Sequence, residues 1–334
     1  MGNESTIKPF ISALLVTRNE KNYIANSLLS LVNQSYPNDR YEIIVIDGMS
    51  DDGTVECINM LVSSNPQGPA VRIIQNEKRI LASGWNLGIQ NAKGEYVIRI
   101  DAHAEVGPDF LEKNMQTMLA VDAVCVGGKL ITKSLEGDNS VISKILSSPF
   151  GVGNSSFRTS NTAGYADTAV YGLYKKEIFD KAGLFNEDFV RNQDIEMHSR
   201  IKKAGGRFYF EPEIESVYYS RNTVKKMLKQ AFGNGKWNMV LLKNSHAALS
   251  VRHLVPFAFV LYLAASLIGG FFWRPIWLLA CGVLALHLVL GLAASVAKTR
   301  KPGEFLIMPV LFMMLHIAYG SGFFSGLFVN INKK

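Results

Sequence analysis

The sequence predicts an α/β domain built on a mostly parallel central sheet, followed by C-terminal transmembrane helices. Three observations carry this expectation. Short β-branched runs alternate with helix-period segments over the first hundred residues, the pattern of strands joined by right-handed helical crossovers. Charge divides between two parts of the chain, with 22 Lys/Arg against 27 Asp/Glu through Ser220 and 13 against 1 from Arg221 onward. Three long uncharged runs fill the last third. A chain of 334 residues has room for one large domain and such an appendage.

The strands are read first. Residues 10–17 form an apolar strand, followed by Arg18-Asn19-Glu20 and an amphipathic helix over about 21–33. Gln34-Ser-Tyr-Pro37 breaks that helix. Residues 41–46 make a second buried strand that stops at Asp47-Gly48, and Ser50-Asp-Asp-Gly-Thr54 turns into a helix running to about Ser63. A third strand covers 71–75, a helix 82–92 ends at Gly94, and a fourth strand covers 96–100. Further on, a helix after Arg191-Asn-Gln-Asp194 runs to about Ala204 and is closed by Gly205-Gly206. In a parallel sheet the polar groups at 17–20, 47–50, 76–79 and 101–103 fall side by side along one edge, where open α/β folds hold ligands.

The uncharged runs cover 254–272, 276–297 and 305–329. Nineteen residues at about 1.5 Å each reach about 28 Å, close to the hydrocarbon thickness of a bilayer. Gly320, Gly322 and Gly326 in the third run suit either helix packing or an interrupted, re-entrant segment. Seven basic residues and no acidic ones lie between Arg221 and Arg252, immediately before the first run. This juxtamembrane pattern points to lipid headgroups and away from nucleic acid. The expected division is a domain over 1–220, a basic amphipathic segment over 221–253, and a membrane domain over 254–330. Basic residues flank the first run and recur at Lys298, Arg300 and Lys301, so the positive-inside rule puts the N-terminal domain in the cytoplasm of a multi-pass plasma-membrane protein. The apolar run after Pro9 is broken by Arg18-Asn19-Glu20, and no signal peptide is expected. Cys57, Cys125 and Cys281 are scattered and suggest no disulfide framework.

Two places carry chemistry. Asp101 and His103 end the fourth strand at i, i+2 spacing. A hard carboxylate and a borderline imidazole suit Mn²⁺ or Mg²⁺ that also carries a diphosphate, although a surface turn reads the same way. No Gly-x-Gly-x-x-Gly or Gly-x-x-x-x-Gly-Lys-Ser/Thr loop is present, which makes a metal the natural counter-charge. Asp194, near a helix start, reads from its spacing as an N-terminal cap ahead of a general base.

Taken in order, Val16-Thr-Arg-Asn-Glu20, Ile43-Ile-Val-Ile-Asp47-Gly, Ser83-Gly-Trp-Asn-Leu-Gly-Ile89, Arg99-Ile-Asp-Ala-His-Ala104 and Ser148-Pro-Phe-Gly-Val-Gly153 resemble inverting family 2 glycosyltransferases of the GT-A, nucleotide-diphospho-sugar transferase, fold. Val190-Arg-Asn-Gln-Asp194, Arg200-Ile-Lys-Lys-Ala-Gly-Gly206, Leu254-Val-Pro256 and His316-Ile-Ala-Tyr-Gly320 continue the likeness, which is nearest to the membrane-bound succinoglycan-biosynthesis glucosyltransferases. The resemblance implies that Thr17, Arg18, Glu20, Asp47, Lys78 and Asp101 bind a UDP-sugar, with Asp47 accepting from the uracil ring. It implies a metal pair at Asp101 and His103, where His replaces the second acid of the family's Asp-x-Asp motif and leans the preference to Mn²⁺ over Mg²⁺. Asp194 matches the general base, with Gln193 in place of the preceding Glu. Gln193 and Trp237 stand on the acceptor side, and Trp237 reads equally as an interfacial anchor. Lys78 and Arg79 read equally as solvated charges.

The implied reaction moves a sugar, best taken as glucose, from UDP to a polyprenyl-diphosphate-linked glycan at the membrane, in exopolysaccharide or cell-surface polysaccharide biosynthesis. A processive polysaccharide synthase and a non-catalytic sugar-nucleotide-binding subunit are the alternatives. The first calls for more spans and a firmer Gln-x-x-Arg-Trp signature than Gln230 and Lys236-Trp237 supply.

Overall fold

The computed structural model describes residues 7–134, 140–153, 155–220, 223–245 and 249–331, so Arg221 of the basic stretch lies outside the described residues. The chain runs β1 (Ile11–Thr17), α1 (Ile24–Val32), β2 (Tyr41–Asp47), α2 (Thr54–Ser63), β3 (Ala70–Gln75), α3 (Leu81–Asn91), β4 (Tyr96–Asp101), β5 (Ala104–Val106), α4 (Phe110–Ala120) and β6 (Cys125–Ser134). Three short helices follow: α5 (Val141–Leu146), α6 (Pro149–Val152) and α7 (Ser156–Thr159). Next come β7 (Gly164–Ala166), β8 (Leu173–Lys175), α8 (Ile178–Ala182), α9 (Gln193–Lys203) and β9 (Phe208–Ser220). Four long helices close the chain: α10 (Val224–Asn244), α11 (Val251–Phe272), α12 (Pro275–Val296) and α13 (Pro302–Leu327).

These elements form two compact units, residues 1–131 with 160–218, and residues 132–159 with 219–334. The expected boundary at residue 220 therefore sees a second crossing: the 132–159 segment groups with the membrane helices, although it interrupts the sequence of the first unit.

The first unit is a mixed sheet with helices on it, in the order β3-β2-β1-β4-β8-β6-β9-β5, with β7 paired to β9. Its first half is parallel: β1 pairs β2 from Ile11↔Tyr41 to Thr17↔Asp47, β1 pairs β4, and β2 pairs β3. Strands buried on both faces are written as near-continuous apolar runs, and β2 is buried at every position. Of its two acids, Glu42 and the terminal Asp47, Glu42 accepts from Ser12 Oγ at 2.8 Å, Lys93 N at 2.8 Å and Arg72 Nε at 3.0 Å, which satisfies the buried charge. Beyond β4 the pairings turn antiparallel, β4 with β8 and β6 with β8. The "mostly parallel" expectation thus holds for β1–β4, while the rest is built from two longer strands, β6 and β9, and three strands of three residues each. The core lies between α3, α9 and the sheet, around Leu14, Ile46, Trp85, Val97, Tyr174, Met197 and Phe208.

In the second unit, α11, α12 and α13 are each long and apolar enough to cross a bilayer. Only 11% of the apolar window is buried in α11 and in α12, against 39% in α13. Side chains such as Phe272 at 87% and Leu278 at 75% exposure need a hydrocarbon environment, not water. α13 is continuous, which settles the reading of its glycines in favour of packing: Gly322 lies against the Phe232 carbonyl of α10, and Gly320 against Pro256 of α11. At the far end, Lys243 Nζ donates to the Leu327 and Val329 carbonyls at 2.6 and 3.2 Å and closes the end of α13.

A Cβ at position 322 has no room. Gly322→Val forces α10 and α13 apart at a cost of about 1–3 kcal/mol. We expect a lower thermal midpoint for the detergent-solubilised protein, and an unchanged midpoint contradicts the close crossing.

Candidate active site

The parallel register brings four loops to one edge. Thr17 ends β1, Asp47 ends β2, Asn76 follows β3 and Asp101 ends β4. Their backbones are tied together: Gly48 N donates to Thr17 O at 2.8 Å and Asn76 N to Asp47 O at 2.7 Å. Side chains tighten the edge further. Asn19 exchanges hydrogen bonds with Asp51, Nδ2 to Oδ1 at 2.9 Å and Asp51 N to Asn19 Oδ1 at 3.0 Å, and Glu20 N donates to Thr54 Oγ1.

Backbone strain is concentrated in the same place. Asn19, Met49, Arg79, Tyr171 and Asn192 are the non-glycine residues with positive φ among the described residues. Three of them follow β1, β2 and β3, one precedes β8, and one caps α9. Left-handed backbone at Met49, Arg79 and Tyr171 costs on the order of 1–3 kcal/mol each, and such strain gathers where geometry matters for function.

The nucleotide-side residues fare differently from one another. Thr17 is 2% exposed, and its Oγ1 is buried without a hydrogen-bond partner, an unspent hydroxyl at a strand end. Asp47 is 3% exposed and accepts from Ser50 N at 2.9 Å and Ser50 Oγ at 2.5 Å. It therefore shapes its own turn, and its carboxylate retains lone pairs for another donor. Arg18 is exposed, and its Nη1 donates to Arg79 O at 3.4 Å. Lys78 is paired with Glu187 at 2.6 Å, which joins the loop after β3 to the loop before α9. Asn86 reinforces that junction by exchanging two hydrogen bonds with the Phe185 backbone.

Asp101 and His103 flank the tight turn between β4 and β5. Tyr171 Oη donates to Asp101 Oδ2 at 3.1 Å, and His103 Nδ1 lies 3.5 Å from Glu20 Oε1. Tyr218 and Tyr23 meet the imidazole edge-on at 5.1 and 6.5 Å. Among the described residues no group of three or more His, Cys, Asp or Glu could hold a metal. The donor set still fits a divalent ion that keeps most of its shell for phosphate oxygens and water, since such ions are commonly held by one or two protein groups plus substrate. A carboxylate beside one ring nitrogen of a ligand histidine is also the arrangement that orients the other nitrogen. Glu20, expected at the uridine, thus stands beside His103 instead of apart from it.

Asp194 is the second residue of α9 and is exposed, while the cap position belongs to Asn192 at φ 58°. Its Oδ1 accepts from Ile195 N at 2.9 Å, a favourable placement for a carboxylate at a helix start. Gln193 is 6% exposed and faces inward. Trp237 is half-buried on α10 of the second unit. One turn after Asp194, His198 is buried and its ring bridges two hydroxyls, Tyr174 Oη and Thr168 Oγ1, both at 2.7 Å. Tyr171, Tyr174 and Thr168 escape sequence reading because they sit in short, non-periodic segments, and His198, on the expected helix, because its two hydroxyl partners lie on those segments. Arg99 left one signal, a charge inside an apolar strand.

The fold agrees with what this chain resembles. A model of glycosyl transferase family 2 matches residues 12–183. A dolichyl N-acetyl-alpha-D-glucosaminyl phosphate 3-beta-D-2,3-diacetamido-2,3-dideoxy-beta-D-glucuronosyltransferase of Methanococcus voltae is 33% identical over 95% of this chain and 97% of its own. The succinoglycan biosynthesis protein ExoA of Rhizobium meliloti is 27% identical over 85% of each chain. Among solved structures, a mannosyltransferase from Pyrobaculum calidifontis in complex with GDP-Man and Mn²⁺ has a TM-score of 0.63 at 18% identity, covering 98% of this chain and 89% of that one. The chain belongs to glycosyl transferase family 2, on a GT-A-like fold with C-terminal helices able to span a membrane.

Burial pushes the His198 imidazole well below its ordinary 6.5, with Arg99 and Lys202 adding to the shift. The folded protein keeps His198 neutral while the unfolded chain protonates it, so stability is constant above about pH 6.5 and falls as pH drops below it, by up to about 1.4 kcal/mol per pH unit. Denaturant titrations followed by tryptophan fluorescence between pH 8 and 5 are expected to show a shallower acid decline in His198→Gln than in wild type. Parallel declines contradict a buried neutral His198.

Proposed function

We propose that the protein is an inverting, metal-dependent hexosyltransferase that moves a sugar from UDP to a polyprenyl-diphosphate-linked glycan at the cytoplasmic face of the membrane. The observation that carries this reading is the sharing of one sheet edge by an unpartnered Thr17 hydroxyl, the Asp47 turn and the Asp101–His103 pair. Thr17 and Asp47 suit the base and ribose of the nucleotide, with Arg18 and Lys78 on the exposed rim toward its phosphates. Asp101 and His103 would hold the divalent ion, Mn²⁺ before Mg²⁺ because an imidazole is one of its ligands. When bound, such an ion offsets the charge that builds on the departing diphosphate.

Asp194 acts on the other partner. Its exposed carboxylate takes the proton of the acceptor hydroxyl. The oxygen then forms a bond to the anomeric carbon from the face opposite UDP, and the old C–O bond breaks with its electron pair left on the diphosphate. The configuration at that carbon inverts. Gln193, buried beside the base, holds the first turn of α9 against the interior.

Membrane attachment suits an acceptor presented on a lipid. The exposed Lys225, Lys226 and Lys229 of α10 would meet anionic headgroups or the lipid's own diphosphate. Glucose is the donor sugar to try first, from the likeness to succinoglycan-biosynthesis enzymes. An uronic sugar is the next, since the Methanococcus relative is named for transferring one.

The test uses full-length protein in membrane vesicles with UDP-sugars, Mn²⁺ and a short lipid-linked acceptor. Asp194→Asn is expected to lower turnover by about 10²–10⁴-fold while donor binding persists. Turnover from externally added donor is expected in inverted vesicles and absent in right-side-out ones. Equal, metal-independent turnover in variant and wild type contradicts both assigned roles, and long products from a single acceptor point to a processive synthase.

A further inference from the structure

Beneath the strand-end cluster lies a charge for which the transfer scheme above has no use. Arg99 sits on β4 two residues before Asp101, so the two side chains leave the strand on the same face. It is 7% exposed, and no carboxylate lies within ion-pair distance of it among the described residues. One nitrogen, Nη2, donates to Tyr174 Oη at 3.3 Å, while Nε is buried without a partner. The guanidinium carbon instead lies 4.8 Å from the Phe185 ring, 5.2 Å from Trp85 and 5.5 Å from Tyr174.

Stability alone gives no reason for this choice. Three aromatic faces offset part of the lost hydration of a cation. A buried charge without a paired acid is nonetheless costly, and an apolar side chain of similar volume is often neutral or stabilising in its place. The charge is nonetheless placed against the transfer scheme: it lies on the same face of β4 as Asp101, two residues on, and is fixed there among the aromatic rings. A mechanical connection runs parallel to the electrostatic one. Tyr174 Oη, which accepts from Arg99, also bonds His198 Nε2 at 2.7 Å, and His198 stands one helical turn after Asp194 on α9.

We propose that Arg99 is a positioning residue for sugar transfer, its fixed positive charge and its Tyr174–His198 hydrogen-bond line holding the Asp101 strand end and the Asp194 helix in their working arrangement. This inference rests on the transferase reading and adds a group to it. Arg99 touches neither substrate nor ion. Its effect falls on how the two carboxylates are held while the proton leaves the acceptor, and so on turnover more than on donor capture.

The experiment compares wild type, Arg99→Met, Arg99→Lys and Tyr174→Phe as full-length protein in lipid nanodiscs, reading thermal midpoint, UDP binding with Mn²⁺ by calorimetry, and kcat and KM for transfer. Arg99→Met is expected to melt at or above wild type, to bind UDP within about threefold, and to lose about 50-fold or more in kcat with donor KM within about threefold. Arg99→Lys, which keeps the charge, is expected to recover a large part of that loss. Tyr174→Phe removes one hydroxyl only and is expected to lose about five- to tenfold in kcat; it carries the test if Arg99→Met does not fold. Arg99→Met turnover within about threefold of an active wild type overturns the proposal, as does a loss that follows the folded fraction or appears in KM alone. With Arg99→Met unfolded, unchanged kcat in Tyr174→Phe overturns it. A wild type that binds UDP and transfers no sugar overturns the transferase reading, and this proposal with it.

Discussion

Because β3, β2, β1 and β4 run parallel and in tight register, every loop that follows them emerges on the same edge of the sheet, which brings together the side chains those four loops carry. The constraint is costly to satisfy locally. Each loop must leave its strand, turn sharply and enter a helix or another strand, and at Met49 and Arg79 the backbone does so in a conformation that L side chains resist. Hydrogen bonds such as Asn19 with Asp51 and Asp47 with Ser50 hold the turns against that resistance. A flexible loop cluster would avoid the strain and lose the arrangement.

The edge so formed is acidic, which defines its problem. Asp47, Asp101 and Glu20 all lie on it, and any nucleoside diphosphate brought there adds negative charge. The nearby basic groups do not balance this freely: Lys78 is already paired with Glu187, and Arg99 is sealed among aromatic rings below the surface. A divalent ion on Asp101 and His103, as proposed above, would offset part of that charge, and the buried Arg99 would offset part of it from beneath. The second unit answers a different need. Its last three helices are each long and apolar enough to cross a bilayer, and α10, with Lys225, Lys226 and Lys229 exposed, precedes them.

The sequence made the parallel half legible because strands buried on both faces are written as unbroken Val and Ile runs, and because their carboxyl ends are marked by abrupt polar groups. β1 through β4 fall within a residue or so of the expected bounds for that reason. The antiparallel half was not legible. β5, β7 and β8 have three residues each, too few for a period to register, and their partners are set by contacts a hundred residues apart, such as Ala104 with Tyr218. The site divides along the same line. Asp101 and His103 announce themselves at a strand end, whereas Tyr171, which hydrogen-bonds Asp101 from 70 residues away, is invisible until the chain is folded. Asp194, legible as a cap or as a base, lies two residues past the cap position, with Asn192 taking that role in a left-handed conformation that Asn tolerates. The grouping of 132–159 with the membrane helices was likewise beyond sequence reading, since it depends on Ile142 and Ile145 packing with Met227, Met308 and Phe312 far along the chain.

The central claim is that the turn between β4 and β5 is a metal-binding turn that works together with a nucleoside diphosphate. Electron-spin-echo spectroscopy of Mn²⁺ added to the full-length protein with UDP reads this directly, without requiring turnover. The account predicts nitrogen modulation from an imidazole together with phosphorus coupling from the diphosphate, and loss of the nitrogen signal alone in His103→Ala. Phosphorus coupling with no nitrogen signal in the wild type, or a nitrogen signal that survives His103→Ala, contradicts it.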